Sequence, residues 1–274
     1  MRIGSLFSGI GFLELGLERA GLGRTVWQVE RDEWCRAVLA THWPEATRYD
    51  DVCSATALAP VDLMCGGFPC QPFSLAGKRL SEKDSRHLWP EYARIIEEVR
   101  PKIVVAENVL GLRTSGLRVV LADLASLGFD VEWACLAASD LGAPHVRKRI
   151  FIVATHPERV LVREQQGWLG RACESARQTV ARHDPQQDAS DSNGVRRLEP
   201  ALSLATQRGW AEHCGWPLDS SSLVDDGRTR RLVRGNVGRM RKALGNAVVI
   251  PCVELIGRAI LQAVAGNGLT RDPA

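Results

Sequence analysis

The chain has 274 residues, 45% apolar and 24% charged, with a formal net charge of +3. This length and balance fit one large domain, or one large and one small, with apolar content for a core that needs no staples. They exclude disordered, collagen-like and coiled-coil architectures, and no apolar run approaches the ~20 residues of a membrane-spanning helix.

Arg2–Leu6 reads as a strand, followed by a glycine turn at Ser8–Gly11 and an amphipathic helix to about Ala20. Thr25–Glu30 reads as a second strand ending in an acid. Asp32 can cap the next helix, which runs to about His42 before Pro44. Ala46–Tyr49 is a short third strand, and Val61–Cys65 is a buried strand running into GGFPCQPFS, too rich in Gly and Pro for regular structure. Leu88–Val99 has helical spacing and stops before Pro101. Lys102–Glu107 is an apolar strand ending in an acid, Gly116–Leu127 a helix, and Val131–Ala138 and Ile150–Ala154 are further strands. Strands alternating with helices predict an α/β fold, a doubly wound, mostly parallel sheet covered on both faces. Such sheets bind ligands outside the carboxyl ends of their strands. Ser8–Gly11, Glu30, Asp51, the 66–74 loop and Glu107–Asn108 are therefore expected on one rim.

From His156 to about Lys242 the periodicity fades into polar, Arg- and Gln-rich sequence with turn clusters such as DPQQDASDSNG. Order returns at Ala243 with ALGNAVVIP and an apolar helix, VELIGRAILQAV, that can pack back on the sheet. The expected division is a main domain of 1–155 plus 243–274 and a small irregular domain at 156–242. Residues 1–155 hold 18 Lys and Arg against 19 Asp and Glu, whereas 156–246 hold 15 against 11. Within 227–242 there are seven basic residues and no acidic one. Segregated positive charge suits a surface that meets a polyanion, although a solvated basic face gives the same pattern. The eight cysteines are scattered without a CxxC pair or zinc-like grouping, so reduced thiols and no metal are expected. The N-terminal stretch carries Glu14 and Glu18 and lacks a small-residue cleavage signal, so a secretory leader is not expected and the cytoplasm is.

Phe7-Ser8-Gly9-Ile10-Gly11, at a strand-to-helix turn, lets a ligand approach the backbone beside a helix N-terminus, although glycines also serve plain turns. Glu30, about 20 residues on, stands where an acid can accept from ribose hydroxyls, or simply cap the next helix. Asp51 can accept from an adenine amino group or serve the YDDV turn. Cys70, bracketed by Gly66-Gly67, Pro69 and Pro72, is held on a loop as a reactive thiol or as a plain structural loop cysteine, whereas Cys65 lies inside an apolar run and reads as core. A free thiol has a pKa of about 8.5, so a reactive Cys70 needs help from its site. Glu107, at the end of a buried strand, should have a raised pKa and be able to donate a proton near neutral pH if buried, or be an ordinary carboxylate if the strand end is exposed to solvent. Arg147 and Arg149 alternate at strand spacing and can present two cationic forks to one ligand, or form part of a solvated charge run.

In this order, FSGIG, the strand-end Glu30, GGFPCQPFS, DSRHLW, ENV, the arginine pair of HVRKRIFIVA, and GNAVVIP resemble the DNA (cytosine-5) methyltransferases. The resemblance covers nearly all of 1–155 and about 243–265, and the VDDGRTRR…RMRKALGNAV ending is similar to the compact phage or prophage form. Phe12 stands where the family usually has a second glycine, His145 where it has Gln, and the family's segment ahead of the final GN has no clear counterpart.

The resemblance implies a Rossmann-like S-adenosylmethionine-dependent fold. Phe7, Gly9, Gly11, Glu30, Asp51, Pro69, Leu88, Asn246 and Ala247 would line the S-adenosylmethionine pocket, with S-adenosylhomocysteine as product. Cys70 would be the nucleophile, Glu107 would hold and protonate the cytosine ring, and Arg149 would bind its exocyclic oxygen, supported by Arg147, Asn108 and Gln71. The segment 156–242 would be the target recognition domain, with Arg228, Arg230, Arg231 and Arg234 on phosphates. Duplex DNA is the implied partner, with monomeric action and a restriction endonuclease as a candidate companion, in the cytoplasm of a bacterial or phage-infected cell.

The implied chemistry needs these residue types. Carbon 5 of cytosine is a poor nucleophile until a thiolate adds to carbon 6, and protonating N3 and binding the oxygen stabilise the adduct. A base inside a duplex is out of reach and must be flipped out. An RNA cytosine methyltransferase with the same pocket, an inactive DNA-binding relative and a nicotinamide dehydrogenase are the alternatives. The last rests on Gly9, Gly11 and Glu30 alone and leaves PCQ and ENV unexplained.

Overall fold

The computed structural model describes residues 1–69, 88–143, 145–162, 164, 166–182 and 236–264. Its strands are β1 (Arg2–Leu6), β2 (Arg24–Val29), β3 (Thr47–Tyr49), β4 (Leu63–Gly67), β5 (Ile103–Val109), β6 (Asp130–Ala137) and β7 (Lys148–Thr155). The helices are α1 (Phe12–Arg19), α2 (Glu33–His42), α3 (Trp89–Val99), α4 (Leu112–Ser115), α5 (Leu117–Ser126), α6 (Trp168–Arg182), α7 (Val237–Asn246) and α8 (Ile250–Val264). One seven-stranded sheet runs in the order β3-β2-β1-β4-β5-β7-β6. Pairing is parallel from β3 to β5, and β7 runs antiparallel to both β5 and β6. Only residues 138–147 join β6 to β7, too few for the crossover that a parallel pair needs, so the chain doubles straight back.

The central strands are apolar at nearly every position because both sheet faces are covered. On one face Ile3, Leu63, Val105, Phe151 and Val153 pack with α1, α6 and α8. On the other, Leu6, Met64, Val104, Ile152 and Ala154 pack with α3 and α5 through Trp89, Tyr92, Ile95 and Val120. Two close approaches use missing side chains. A Cβ on Gly16 of α1 would lie 2.5 Å from Val253 of α8, and one on Gly257 of α8 would lie 2.5 Å from the Ala20 Cβ. At these two points α1 and α8 pack in direct contact.

The expected strands are present within two residues at their starts and ends, and so are the helices following β1, β2 and β5 and the one before β5. Helix α6 was not expected. It starts inside the segment assigned to the second domain, yet Trp168, Leu169 and Cys173 join the same core as α8. Helix α7 likewise begins six residues before the expected return of order, and the expected apolar helix begins at Ile250. Most of 156–242 lies outside the described residues. Among the described residues no helix is long and apolar enough to cross a membrane.

Candidate functional site

The carboxyl ends of β1, β2, β4 and β5 open on one cavity of about 1380 Å³. Single-ligand pockets usually measure roughly 300–1,000 Å³, so this one has room for two ligands side by side. Its lining joins Phe7–Ile10 after β1, Glu30–Asp32 after β2, Asp51–Cys53, Gly67–Pro69 after β4, Glu107–Val109 of β5 and Arg149 of β7, closed by Asn246–Val248. The rim expected from the strand ends is thus assembled, as far as Pro69 in the 66–74 loop.

At one end the turn after β1 is built on unusual backbone. Phe7 has φ 54°, Gly9 57° and Gly11 87°. A non-glycine residue in this left-handed region is uncommon and persists only where its surroundings hold it. Phe7 stacks on Tyr92, with ring centroids 6.2 Å apart, and the Ser8 N–H donates to Val29 O at 3.2 Å. A Cβ on Gly9 would meet nothing within 4 Å, so that glycine bares the backbone toward open space. Gly11 does a different job: its Cβ would lie 2.3 Å from the Trp43 ring, and it is absent from the cavity wall. Of the nine residues expected to line this pocket, Phe7, Gly9, Glu30, Asp51, Pro69, Leu88, Asn246 and Ala247 line the cavity, and Gly11 supports it from behind. Phe12, standing in the second-glycine position, does not block the turn. The residue is 6% exposed, packing into the core at the start of α1 while it also forms part of the cavity wall.

Glu30 is fixed by backbone amides. Gly9 N–H donates to its Oε2 at 2.7 Å and Asp32 N–H to its Oε1 at 2.8 Å. A carboxylate has about four lone-pair sites, so both oxygens keep capacity for a hydroxyl donor. Asp51 is oriented by Cys53, whose N–H donates to Oδ1 at 2.9 Å. Asp32 caps α2 as expected, accepting from Cys35 N–H at 3.0 Å.

At the other end Glu107 is buried and forms an ion pair with Arg149, Nε to Oε1 at 2.9 Å. Burial pushes the Glu107 carboxyl up to about 7, outweighing Arg149 and Arg147, which act to lower it. Burial thus favours the neutral form of this acid, the direction its place at the end of a buried strand suggested. Gly67 lies opposite Glu107 in the β4–β5 register, and a Cβ there would meet Glu107 Oε2 at 3.0 Å. Asn108 turns away from this pair. Its Nδ2 donates to Phe68 O at 2.9 Å and its Oδ1 accepts from Val109 N–H, which anchors the chain just ahead of Pro69. Arg147 Nη2 donates to Gly245 O at 2.7 Å, tying the approach to β7 to the end of α7. Burial and Arg149 hold the Arg147 guanidinium below its ordinary value.

Cys70, Gln71, Arg228, Arg230, Arg231 and Arg234 lie outside the described residues. Cys65 is fully buried, and burial raises its thiol well above the ordinary range, so it is inert core as expected. Sequence reasoning missed Arg239 and Lys242, which line the cavity from α7. They belong to the basic 227–242 stretch, and their i, i+3 spacing is the signal that puts both on one helix face.

Residues 1–201 match the family model described as C-5 cytosine-specific DNA methylase. The Type II methyltransferase M.NgoBI of Neisseria gonorrhoeae is 32% identical over 293 residues, 91% of this chain and 89% of its own length. Other curated Type II methyltransferases align over 36% to 44% of their own length. A DNA modification methyltransferase encoded within an E. coli prophage superposes with a TM-score of 0.50 at 28% identity, over 62% of this chain and half of that one. The S. pombe Dnmt2 methyltransferase superposes over 96% of this chain and 98% of its own with a TM-score of 0.61. At 17% identity it speaks for the fold.

Proposed function

The chain belongs to the C-5 cytosine-specific DNA methylase family, and from that premise we propose that its cavity takes S-adenosylmethionine at the Glu30 end and a flipped-out cytosine at the Glu107 end. The family's reaction is methyl transfer to carbon 5 of cytosine in DNA, and this chain is an enzyme of that kind. One observation carries the assignment of the two ends. A buried acid of raised pKa, paired to an arginine, shares a cavity with an acid that backbone amides hold ready for hydroxyls.

The residues present fit an adenosyl ligand. The bare backbone at Gly9 admits a close approach, Glu30 can accept from two ribose hydroxyls, and Asp51 can accept from an adenine amino group. Phe7, Pro69, Leu88, Asn246 and Ala247 complete the walls. Bound there, S-adenosylmethionine supplies an electrophilic methyl group and leaves as S-adenosylhomocysteine.

At the other end the chain's own groups activate the base. The Cys70 thiolate adds to carbon 6, its electron pair forming the carbon–sulfur bond while the ring's 5,6 double bond breaks. Protonated Glu107 gives its proton to N3, and Arg149 binds the exocyclic oxygen, so the displaced electrons make carbon 5 nucleophilic. After carbon 5 is alkylated, a base removes its proton, the 5,6 double bond re-forms as the thiolate leaves, and the N3 proton returns to Glu107. Asn108 holds Phe68, and one residue separates Phe68 from Cys70 in the chain. Arg147, Gln71 and the basic Arg228, Arg230, Arg231 and Arg234 support base and phosphate binding. Residues 183–236, the part of the 156–242 segment between the core-packed α6 and the cavity-lining α7, are the target recognition domain of this proposal. A monomer acting in a bacterial cytoplasm, with a companion restriction endonuclease, completes it.

A duplex carrying 5-fluorocytosine tests the mechanism. With S-adenosylmethionine present it should trap a covalent complex, because fluorine cannot leave as a proton does. Cys70→Ala should abolish the trap; a mutant that still traps has a different nucleophile. Bisulfite sequencing of DNA from an expressing host should reveal one modified sequence context. Methyl transfer to tRNA but not to duplex DNA would move the activity to the RNA reading.

A further inference from the structure

An ion pair between α6 and the end of β6 lies outside the cavity wall, yet it holds the segment that delivers Arg149. β6 is an outer strand of the sheet, so the backbone groups on its free side have no strand partner. At its end two of them are taken up by side chains. Cys135 O accepts from Arg177 Nη2 at 2.6 Å, and Ala137 N–H donates to Asp140 Oδ2 at 2.9 Å. The two side chains also bind each other, Arg177 Nε to Asp140 Oδ2 at 2.9 Å. Leu136, between Cys135 and Ala137, stands opposite Arg149 in the β6–β7 register, and Ala138 N–H donates to Arg147 O at 3.1 Å. The clamp therefore brackets the strand position that pairs with Arg149.

That position matters because Val109 and Arg149 form the last β5–β7 pair. Ahead of Arg149, the start of β7 pairs with β6 alone, Lys148 with Ala137. Arg149 reaches Glu107 Oε1 through Nε at 2.9 Å while its Nη1 donates to Lys148 O at 3.0 Å, so its aim follows the backbone at Lys148. Arg177 stands on a fixed helix. Trp168, Leu169 and Cys173 bury α6 in the core, and Glu132 of β6 accepts from Gly167 N–H and Leu169 N–H at its first turn. Arg177 Nη1 pairs with Glu174 at 3.1 Å, so all three guanidinium nitrogens are engaged, an arrangement that a lysine ammonium does not reproduce. On the other side Arg147 Nη2 donates to Gly245 O. The connection between β6 and β7 is thus gripped by α6, which leads into residues 183–236, and by α7, which leads out of them.

We propose that Arg177 and Asp140 are positioning residues: by closing the end of β6 they keep the start of β7 in place and so hold the Arg149 guanidinium on Glu107. The proposal rests on the reading of Glu107 and Arg149 as the base-binding pair. Neither Arg177 nor Asp140 lines the cavity, so their effect on the reaction passes through Arg149. With the clamp open, Arg149 loses its aim at Oε1, and both proton donation to N3 and binding of the exocyclic oxygen lose geometry.

Carbon-13 NMR titration of the Glu107 carboxyl in the ligand-free full chain, assigned by its absence in Glu107→Gln, tests this. Arg149 acts to lower the Glu107 pKa against burial, so a displaced Arg149 lets it rise. Arg177→Met keeps the apolar stem and Asp140→Asn keeps an acceptor for Ala137 N–H, and both open the ion pair. In both, the midpoint should rise by about half a pH unit, a fraction of what an adjacent arginine imposes. A direct field would act with opposite signs, since one variant removes a cation and the other an anion. A shared rise is therefore the mark of a moved Arg149. In both variants kcat for methyl transfer should fall by about tenfold with the cofactor KM within about threefold of wild type, and Arg177→Lys should fall between. A midpoint that stays at the wild-type value in either variant, or moves in opposite directions in the two, overturns the proposal whatever the melting temperature does. So does an unchanged kcat in both variants where Arg149→Ala is inactive. A shared rise with methyl transfer unchanged in the variants and in Arg149→Ala alike overturns the reading of the base-binding pair instead.

Discussion

Glu30 and Glu107 both stand at the carboxyl end of a parallel strand and both face the same cavity, yet their surroundings treat them oppositely. Glu30 keeps access to solvent and takes two backbone N–H donors, which hold a carboxylate in place as an acceptor. Glu107 is buried between β4 and β7, with one arginine on Oε1 and a glycine where a side chain would press on Oε2. Burial there wins over the nearby positive charge and favours the neutral form. In the proposed function the same residue type in the same topological position thus serves as a hydroxyl acceptor at one end and a proton donor at the other. The difference lies in the groups that fold against it.

Substitutions at the Glu107 end should hit the chemistry hardest. Arg149→Ala and Glu107→Gln should each lower methyl transfer by about 10²- to 10⁴-fold, as loss of a transition-state partner or proton donor does, while S-adenosylhomocysteine affinity stays near wild type. Equal losses in binding and turnover would dissolve the distinction between the two ends. The kcat–pH profile of wild type should decline as pH rises through about 7, where Glu107 gives up its proton, and Glu107→Gln should lack that limb.

Glu30→Ala should show the opposite pattern, weakening cofactor binding by about 10- to 100-fold, the loss expected for one or two charge-assisted hydrogen bonds. At saturating cofactor its turnover should recover most of the wild-type value.

Stability provides the smallest effect. Glu14 and Glu107 have folded-state pKa values of about 7 against 4.5 for the ordinary carboxyl. Between those values the folded chain binds more protons than the unfolded one, so their contribution favours folding at low pH and is lost as pH rises through 7. Melting at pH 8 should therefore come several degrees below melting at pH 6, and Glu14→Gln should remove part of that slope. A melting temperature that rises over this window would contradict the burial of both acids.

Much of this was legible in the residues. Buried strands announce themselves as apolar runs, and the acids and glycines at their ends fall on one rim because parallel topology leaves them no alternative. Helix α2 was legible because its cap, Asp32, lies in its own sequence. Gly11 was misjudged. Its φ requires glycine, but whether that glycine faces ligand or protein depended on where Trp43 came to rest. Glu14 carried a signal that was not used, an acid inside the apolar stripe of α1 beside Leu13 and Leu17.

Sequence by itself determined the alternation of strands and helices, the rim on which chemistry gathers and the residue types that carry it. Those features follow from local periodicity, local caps and the direction of a parallel sheet. Only the tertiary structure decided the rest. Helix α6 has three core residues that periodicity does not reveal, and its first turn is capped by a distant side chain, Glu132 of β6, which accepts from Gly167 N–H and from Leu169 N–H. Farther along, Arg177 pairs with Asp140 at 2.9 Å and donates to Cys135 O. The raised pKa of Glu107 is of the same kind. A carboxyl's affinity for a proton is set by the water that folding removes and the charges that folding brings near, and neither is written in the residues beside it.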